Sequence, residues 1–443
     1  MTRSKIFSLL LAFCVINIFA AAQNQLDGNE VSQATSSTAY AGVDENGEPL
    51  ETDALSADSL ATDSLATDST EAELPWPESL TARLDSVIAK SSLLKTSHVG
   101  LYVYDITADS ALYALDSKQT MRPASTMKLF TAITALDKLG GAYLYKTRLA
   151  YTGQVVDSTR TLVGNLYCIG GMDPKFGKDD MRAFASSVRE LGVDTIRGTI
   201  YADRSMKDDK LYGEGWCWDD DNSMLSPLVY ARKDNFIERF TEALNDAGIV
   251  LDGETGVKTV PSDATRLCER THTVEQILIP MLKESNNLYA ESMFYQIALT
   301  QGKPATMRKA RRVIEDLMHR TAVKQAPHRI ADGSGLSLYN YVSAEMEVAF
   351  LRYARANSNI YPYLYSALPI AGKDGTLKKR MKGTAAEGNV RAKTGTLTGV
   401  ITLAGYCTAA NGHELAFAIL NNGVMHDNNA RAFQNKICVA MCK

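Results

Sequence analysis

A serine and a lysine three residues apart form the first group in this sequence that can do chemistry. Ser125 and Lys128 fit the pattern SxxK, and residues i and i+3 lie on one face of a helix. The lysine amine can then accept the proton of the serine hydroxyl and turn its oxygen into a nucleophile. At a helix start, free backbone N–H groups and the helix dipole also favour a developing negative charge. Ser125 and Lys128 are therefore the candidate nucleophile and base for acyl transfer.

A second SxxK occurs at Ser92 and Lys95, so the pattern alone does not select a nucleophile. The local context separates the two copies. Ser92 falls at the end of a predicted helix, before the first predicted strand. Ser125 follows Arg122-Pro123-Ala124 and opens an apolar helix predicted over residues 125–139. This position at a helix start favours Ser125.

Two further motifs follow downstream. Ser285-Asn286-Asn287 is an SxN, 160 residues after Ser125, and taken alone it is more typical of a helix N-cap. Lys393-Thr394-Gly395 is a KTG at the end of a short predicted strand, 108 residues further on. On a strand, Lys393 and Gly395 point to the same side. The lysine can supply positive charge to a carboxylate, and the glycine lets a substrate backbone approach closely.

The order of these motifs carries more information than any one of them. SxxK, SxN and KTG, on a helix start, a loop and a strand, are the signature of penicillin-binding proteins and serine β-lactamases. The long first gap resembles the class C low-molecular-mass penicillin-binding proteins, the D-alanyl-D-alanine carboxypeptidase/endopeptidase family. The resemblance covers roughly residues 78–443, and it includes four further segments: Gly170–Pro174 (GGMDP), Asp332–Ser337 (DGSGLS), Ala371–Leu377 (AGKDGTL) and Arg391–Gly395 (RAKTG).

This resemblance implies a serine-type D-Ala-D-Ala carboxypeptidase/endopeptidase that cleaves peptidoglycan stem peptides through an acyl-enzyme intermediate. It implies acylation by β-lactam antibiotics, and it implies no metal and no organic cofactor. The residue roles that it implies are catalysis by Ser125, Lys128, Ser285, Asn287 and Lys393, an oxyanion hole from the backbone N–H groups of Ser125 and Thr396, and substrate binding by Asp173, Thr394, Gly395 and Thr396.

Some positions leave alternatives open. The family often has an arginine after GLS to bind a carboxylate of the stem peptide, and Leu338 stands there in this chain. Asp173 is implied to meet the side-chain amine of the donor peptide, but a turn aspartate before proline explains it equally well. Trp216 and Trp218 fit packing better than a ligand platform. The histidines form no HxH or HExxH pattern that predicts a metal site.

Three alternative functions share the motifs. A serine β-lactamase or an esterase on the same fold needs fast deacylation, whereas a penicillin-binding protein forms a stable adduct. A catalytically silent envelope-binding protein forms no adduct. An active core with a different peptide substrate is the third. The sequence favours the DD-peptidase and leaves its oligomeric state open.

The first 75 residues predict export. Residues 1–22 have a basic start, an apolar run and Ala20-Ala21-Ala22 before Gln23, which is typical of a secretory signal peptide. Residues 23–75 contain twelve Asp and Glu and no Lys or Arg, which predicts a disordered acidic tether. We therefore expect a protein of the periplasm or cell envelope.

Charge and cysteines add weaker constraints. The overall net charge of −4, with +2 before residue 23 and −12 in the tether, leaves about +6 for residues 76–443. This small excess is not a nucleic-acid footprint. Six cysteines follow the predicted signal, and in an oxidising compartment both disulfides and free thiols remain open.

The predicted elements indicate an α+β fold. We expect the serine β-lactamase/DD-peptidase-like fold, with an antiparallel sheet flanked by helices, a helical subdomain and one inserted α/β domain. The prediction assigns residues 76–145 and 265–443 to the DD-peptidase domain and 146–264 to the insertion. The main predicted strands are 98–104, 110–115, 145–152, 161–170, 195–203, 389–394, 399–409 and 414–421, and the main predicted helices are 125–139, 180–192, 235–248, 274–283, 287–299, 304–320, 343–356 and 427–441.

Overall fold

The computed structural model describes residues 74–220, 224–321, 323 and 326–443. The predicted signal peptide and all but the last two residues of the predicted tether lie outside the described residues. The α-helices are α1 (Glu78–Ala89), α2 (Met127–Lys138), α3 (Lys178–Arg189), α4 (Phe236–Asp246), α5 (Val274–Lys283), α6 (Asn287–Leu299), α7 (Met307–Met318), α8 (Ala344–Arg355), α9 (Tyr361–Ala367) and α10 (Asp427–Cys442).

Within the described residues, the strands form two five-stranded sheets. They are β1 (His98–Asp105), β2 (Ser110–Leu115), β3 (Leu144–Val156), β4 (Thr161–Ile169), β5 (Thr195–Asp203), β6 (Val250–Val257), β7 (Thr265–Thr273), β8 (Arg391–Leu397), β9 (Val400–Thr408) and β10 (Glu414–Asn422).

The first sheet joins strands from the two ends of the described chain, in the order β2-β1-β10-β9-β8, and it is antiparallel throughout. Both of its faces are covered. In β10, Leu415, Phe417 and Ile419 face one apolar cluster with α1 and α10, and the alternate residues face a second cluster with α2 and α5–α8. This alternation confirms the predicted α+β sheet flanked by helices. Strand β8, which carries the KTG motif, lies at an edge of the sheet.

The second sheet has the order β6-β5-β4-β3-β7 and mixes parallel with antiparallel pairs. Its apolar core includes buried residues of α3 and α4, and its strands fall between α2 and α5 in the chain. Strand β7, which the predicted boundary at 265 assigned to the DD-peptidase domain, pairs with β3 in this sheet. The division into a main and an inserted domain stays a proposal.

Two further properties bear on the sequence predictions. All six cysteines of the described residues have free thiols. Of the two alternatives that the sequence leaves open, disulfides and free thiols, the structure has the free thiols. No described helix is both long and apolar enough to cross a membrane.

Candidate active site

Ser125 lies in a short 3-10 turn, Ala124–Thr126, that leads directly into α2. The turn is conformationally unusual because Ala124 has a φ of +47°, a left-handed conformation that costs energy in a residue with a Cβ. The Thr126 hydroxyl donates to the carbonyl of Pro123 at 2.7 Å and closes the turn. The backbone around the partly exposed Ser125 is thus strained, and a hydrogen bond across the turn stabilises it.

The amine of Lys128 lies one turn further along and is fully buried. Its Nζ is 2.8 Å from Ser125 Oγ, as the i, i+3 spacing predicts. The same amine donates to Asn287 Oδ1 at 2.7 Å and to the backbone carbonyl of Ser334 at 2.8 Å. The structure therefore brings the SxxK and SxN motifs together around one amine.

The three residues of the SxN motif have two different roles. Asn286 caps α6, and its side chain accepts from Tyr289 N at 3.3 Å. The N-cap interpretation is therefore right for the middle residue. Ser285, with a φ of +61°, and Asn287, the first residue of α6, instead direct their side chains to the two buried lysines.

The KTG motif on β8 supplies the second lysine. Lys393 is buried, and its Nζ donates to Ser285 Oγ at 2.8 Å and to the carbonyl of Thr394 at 2.6 Å. The hydroxyl of Thr394 lies 2.8 Å from that of Thr376. Thr396 is exposed on the edge strand. Lys128 thereby binds Ser125 and Asn287, and Lys393 binds Ser285. The two lysines are close enough for the charge of Lys128 to affect the pKa of Lys393.

Gly395 lies directly against the turn that carries the nucleophile. A Cβ at this position would be 2.8 Å from the carbonyl oxygen of Pro123 and 2.9 Å from the backbone nitrogen of Ser125, and it would also collide with the Thr402 hydroxyl. The strand can approach the Ser125 turn this closely only because residue 395 has no side chain.

Burial controls the electrostatics of both lysines. Removal from water lowers the pKa of Lys128 to about 7, although the nearby carboxyl groups of Asp332 and Glu291 oppose that shift. Burial and the neighbouring Lys128 together hold the pKa of Lys393 well below its ordinary value. Near neutral pH a substantial fraction of Lys128 is therefore the free amine that a base requires.

The Ser334 loop is the part of the site that the sequence motifs did not assign. The sequence connects residues Asp332–Ser337 with the family only through the DGSGLS segment. In the structure the carbonyl of Ser334, not its hydroxyl, contacts Lys128. Gly335 has a φ of +83° and packs against Ala124. The paired glycines were the available signal, because they indicate close backbone approach.

Asp173 lies in a different environment. It is 1% exposed, its carboxylate is 2.7 Å from His272 Nδ1, and it accepts from Lys175 N at 3.0 Å. Its implied contact with substrate stays a prediction. No group of three or more potential metal ligands occurs among the described residues.

Comparison with known proteins identifies the family. A family model described as D-Ala-D-Ala carboxypeptidase 3 (S13) matches residues 80–233 and 228–442. The chain belongs to this family. It is 30% identical over 455 residues to a D-alanyl-D-alanine carboxypeptidase of Actinomadura sp. (strain R39), a match that covers 80% of this chain and 83% of the relative.

Two further matches agree with the S13 assignment. A D-alanyl-D-alanine carboxypeptidase DacB of Haemophilus influenzae is 24% identical over 74% of this chain and 86% of its own length. The crystal structure of penicillin binding protein 4 from the same organism superposes with a TM-score of 0.73 at 22% identity, over 80% of this chain and 97% of that one. The predicted family and fold are confirmed.

Proposed function

We propose that this S13 family member is a serine-type D-Ala-D-Ala carboxypeptidase/endopeptidase that acts on peptidoglycan stem peptides through an acyl-enzyme intermediate. The observation that carries the proposal is the 2.8 Å contact between the Lys128 amine and the Ser125 hydroxyl. That contact lies where Lys128 is buried and its pKa is near 7. This is the arrangement in which lysine activates a serine nucleophile.

The reaction begins with proton transfer from the Ser125 hydroxyl to the neutral amine of Lys128. Ser125 Oγ bonds to the carbonyl carbon of the penultimate D-alanine, and the backbone N–H groups of Ser125 and Thr396 stabilise the oxyanion. The C–N bond to the terminal D-alanine then breaks. The nitrogen of the leaving D-alanine takes up a proton that passes from Lys128 through Ser285. Water hydrolyses the resulting ester, so that Ser125 regains its proton and the shortened peptide leaves.

Residues of the strand and loops around Ser125 and Lys128 bind the substrate. Lys393 and Thr396 bind the terminal carboxylate, with Thr394 and Gly395 completing the strand edge beside the substrate. Asn287 binds the substrate amide. The family resemblance implies that Asp173 binds the side-chain amine of the donor peptide. An incoming carboxylate favours the charged form of Lys393, whereas burial and the neighbouring Lys128 lower its pKa.

The proposal extends to β-lactams and to the cell envelope. A β-lactam contains a strained cyclic amide whose carbonyl carbon Ser125 can attack. One crystal structure of the H. influenzae penicillin binding protein 4 shows that protein in complex with a novel β-lactam. We infer that the chain is exported by residues 1–22 and works in the periplasm or cell envelope, where stem peptides are found.

Product analysis on purified muropeptides tests the proposed function. The expected result is release of D-alanine from pentapeptides, cleavage of cross-linked dimers, or both, together with a stable adduct with a fluorescent penicillin. Rapid turnover of the penicillin without muropeptide cleavage would support the β-lactamase alternative. Absence of both adduct and products would support a silent binding protein.

The pH dependence of acylation should follow the ionisation of Lys128. Below a pKa of about 7 the amine carries a proton and cannot accept another one. The rate constant for penicillin acylation should therefore fall about tenfold per pH unit below pH 7 and level off above it. Stopped-flow measurement between pH 5 and 8 checks this, with circular dichroism showing that the protein stays folded. A rate that does not change across this range would contradict the assignment of Lys128 as base.

Adding one methyl group at Gly395 should impair acylation. The Cβ of a Gly395→Ala variant would press on the Pro123 carbonyl and the Ser125 nitrogen, and a displacement of this kind can lower the rate roughly 100-fold. Gly177→Ala is the matched control, because a Cβ there meets nothing closer than 3.6 Å. Penicillin acylation kinetics compare the two variants. Equal rates would show that the strand does not constrain the nucleophile.

A further inference from the structure

Lys128 has a hydrogen-bonding requirement that the three motifs alone do not meet. A neutral amine has two N–H donors and one lone pair. To act as a base toward Ser125, Lys128 must direct the lone pair at the serine hydroxyl, and both N–H groups need acceptors elsewhere. Asn287 Oδ1 takes one at 2.7 Å, and the Ser334 carbonyl takes the other at 2.8 Å. The position of the Ser334 carbonyl therefore determines where the lone pair points.

The peptide segment Gly333–Ser334 is clamped between two helices. On the α6 side, Glu291 Oε1 accepts from Ser334 N at 2.7 Å and from Gly333 N at 3.1 Å. On the α2 side, the hydroxyl of Thr131 donates to the Gly333 carbonyl at 2.7 Å. Gly333 lies flat on α6, where a Cβ would be 2.5 Å from Phe294. The segment has little freedom to move as long as both clamps are in place.

Glu291 is suited to this task by its place on the helix. It stands four residues after Asn287, so both side chains project from the same face of α6. One turn of the helix supplies Asn287 Oδ1 as a direct acceptor for Lys128. The next turn supplies the carboxyl group that holds the second acceptor in place. The spacing between the two acceptors is thus fixed by a single rigid element.

We propose that Glu291 is a positioning residue for the reaction, because its carboxyl group holds the Gly333–Ser334 segment whose carbonyl orients the Lys128 amine toward Ser125. This inference rests on the proposed function. Asp332 supports the same loop from within, since its carboxylate accepts from the backbone nitrogens of Gly335 at 2.8 Å and Ser337 at 2.7 Å.

The chemistry required of Glu291 is that of a hydrogen-bond acceptor and not that of a charge. Burial, together with the nearby carboxylate of Asp332, raises the pKa of Glu291 to about 8. Both effects favour the neutral form of the carboxyl group. Glutamine has the same shape and keeps a carbonyl oxygen for both backbone N–H groups, whereas alanine leaves them without an acceptor.

The test measures the two constants of penicillin acylation separately, namely the dissociation constant of the initial complex and the first-order rate constant of acylation. In Glu291→Ala we expect the acylation rate constant to fall roughly 10- to 100-fold, with the dissociation constant unchanged within about threefold. In Glu291→Gln we expect both constants to stay within about threefold of the wild type. The exposed Glu238→Ala on α4 is the matched control for loss of a glutamate.

The outcomes separate this inference from the proposed function. If the wild type forms no adduct, or if Ser125→Ala still forms one, the proposed function fails. If the wild type and Ser125→Ala behave as proposed and Glu291→Ala acylates at the wild-type rate, only the inference fails. A Glu291→Gln variant as slow as Glu291→Ala would also overturn it, because an acceptor of the same shape would then not suffice.

A second variant covers the case in which Glu291→Ala does not fold, as judged by thermal melting. Thr131→Val removes the other clamp on the same peptide while keeping the side-chain shape. We expect it to lower the acylation rate constant about fivefold without changing initial binding. An unchanged rate constant would contradict the claim that the clamped segment orients Lys128.

Discussion

Replacing Ser125 with alanine should lower both muropeptide cleavage and penicillin acylation by roughly 10,000-fold or more. The reason is that the acyl-enzyme has no other atom on which to form. The amine of Lys128 is also a potential nucleophile, but it is fully buried beneath the serine. It also donates hydrogen bonds to Asn287 and to the Ser334 carbonyl. Mass spectrometry after incubation with penicillin checks the result by the mass of the covalent adduct.

The chain contains its own control for this experiment. Ser92 belongs to the second SxxK, and it immediately precedes the 3-10 turn Leu93–Lys95, whereas Ser125 lies in the turn that leads into α2. Ser92→Ala should therefore react with penicillin like the wild type. Full labelling of Ser125→Ala, or loss of labelling in Ser92→Ala, would remove Ser125 from the role of nucleophile.

The sequence predicted those parts of the fold in which apolar residues follow a clear period. Helices α5 and α6 begin and end at the predicted residues, 274–283 and 287–299, because capping side chains mark their starts and apolar faces mark their lengths. Strand β5 likewise spans the predicted 195–203. In each case the local pattern and the tertiary packing favour the same structure.

Two strands were missed where that agreement breaks down. Strand β7 has no fully buried residue, so it shows no apolar alternation, and hydrogen bonding to β3 determines its structure. Strand β6 contains Gly253 and Gly256, which are typical of turns. Gly253 is required because a Cβ there would collide with the backbone of Gly198 on the neighbouring strand. A contact between distant residues cannot be read from a local pattern.

The candidate site divides in the same way. Side chains that act directly, such as Ser125, Lys128 and Lys393, were found because their types and order are informative. The Ser334 carbonyl was missed because every residue has a carbonyl, and sequence letters do not say which one faces an amine. Glu291 was missed for a related reason, since its partners are backbone N–H groups from a loop 42 residues away.

Replacing Lys128 is the second change with a very large expected effect. Lys128→Ala removes the general base, and such a loss lowers rates by about 100- to 10,000-fold, so we expect penicillin acylation to fall roughly 1,000-fold. Lys128→Arg should be equally slow at every pH from 5 to 9, because a guanidinium group does not lose its proton in this range. Time-resolved mass spectrometry of the adduct measures both variants.

The comparison between these two variants separates charge from basicity. If Lys128 acted by positive charge alone, the arginine variant would keep much of its acylation rate, and the wild-type rate would not depend on the free amine. If Lys128 acts as the base, the arginine variant stays slow and raising the pH does not restore it.

Lys95→Ala, in the second SxxK, should acylate like the wild type and so controls for the loss of a lysine from the same motif. The geometry favours the base, because Lys128 is the amine within 2.8 Å of Ser125 Oγ and burial has already moved its pKa into the range where both forms are populated.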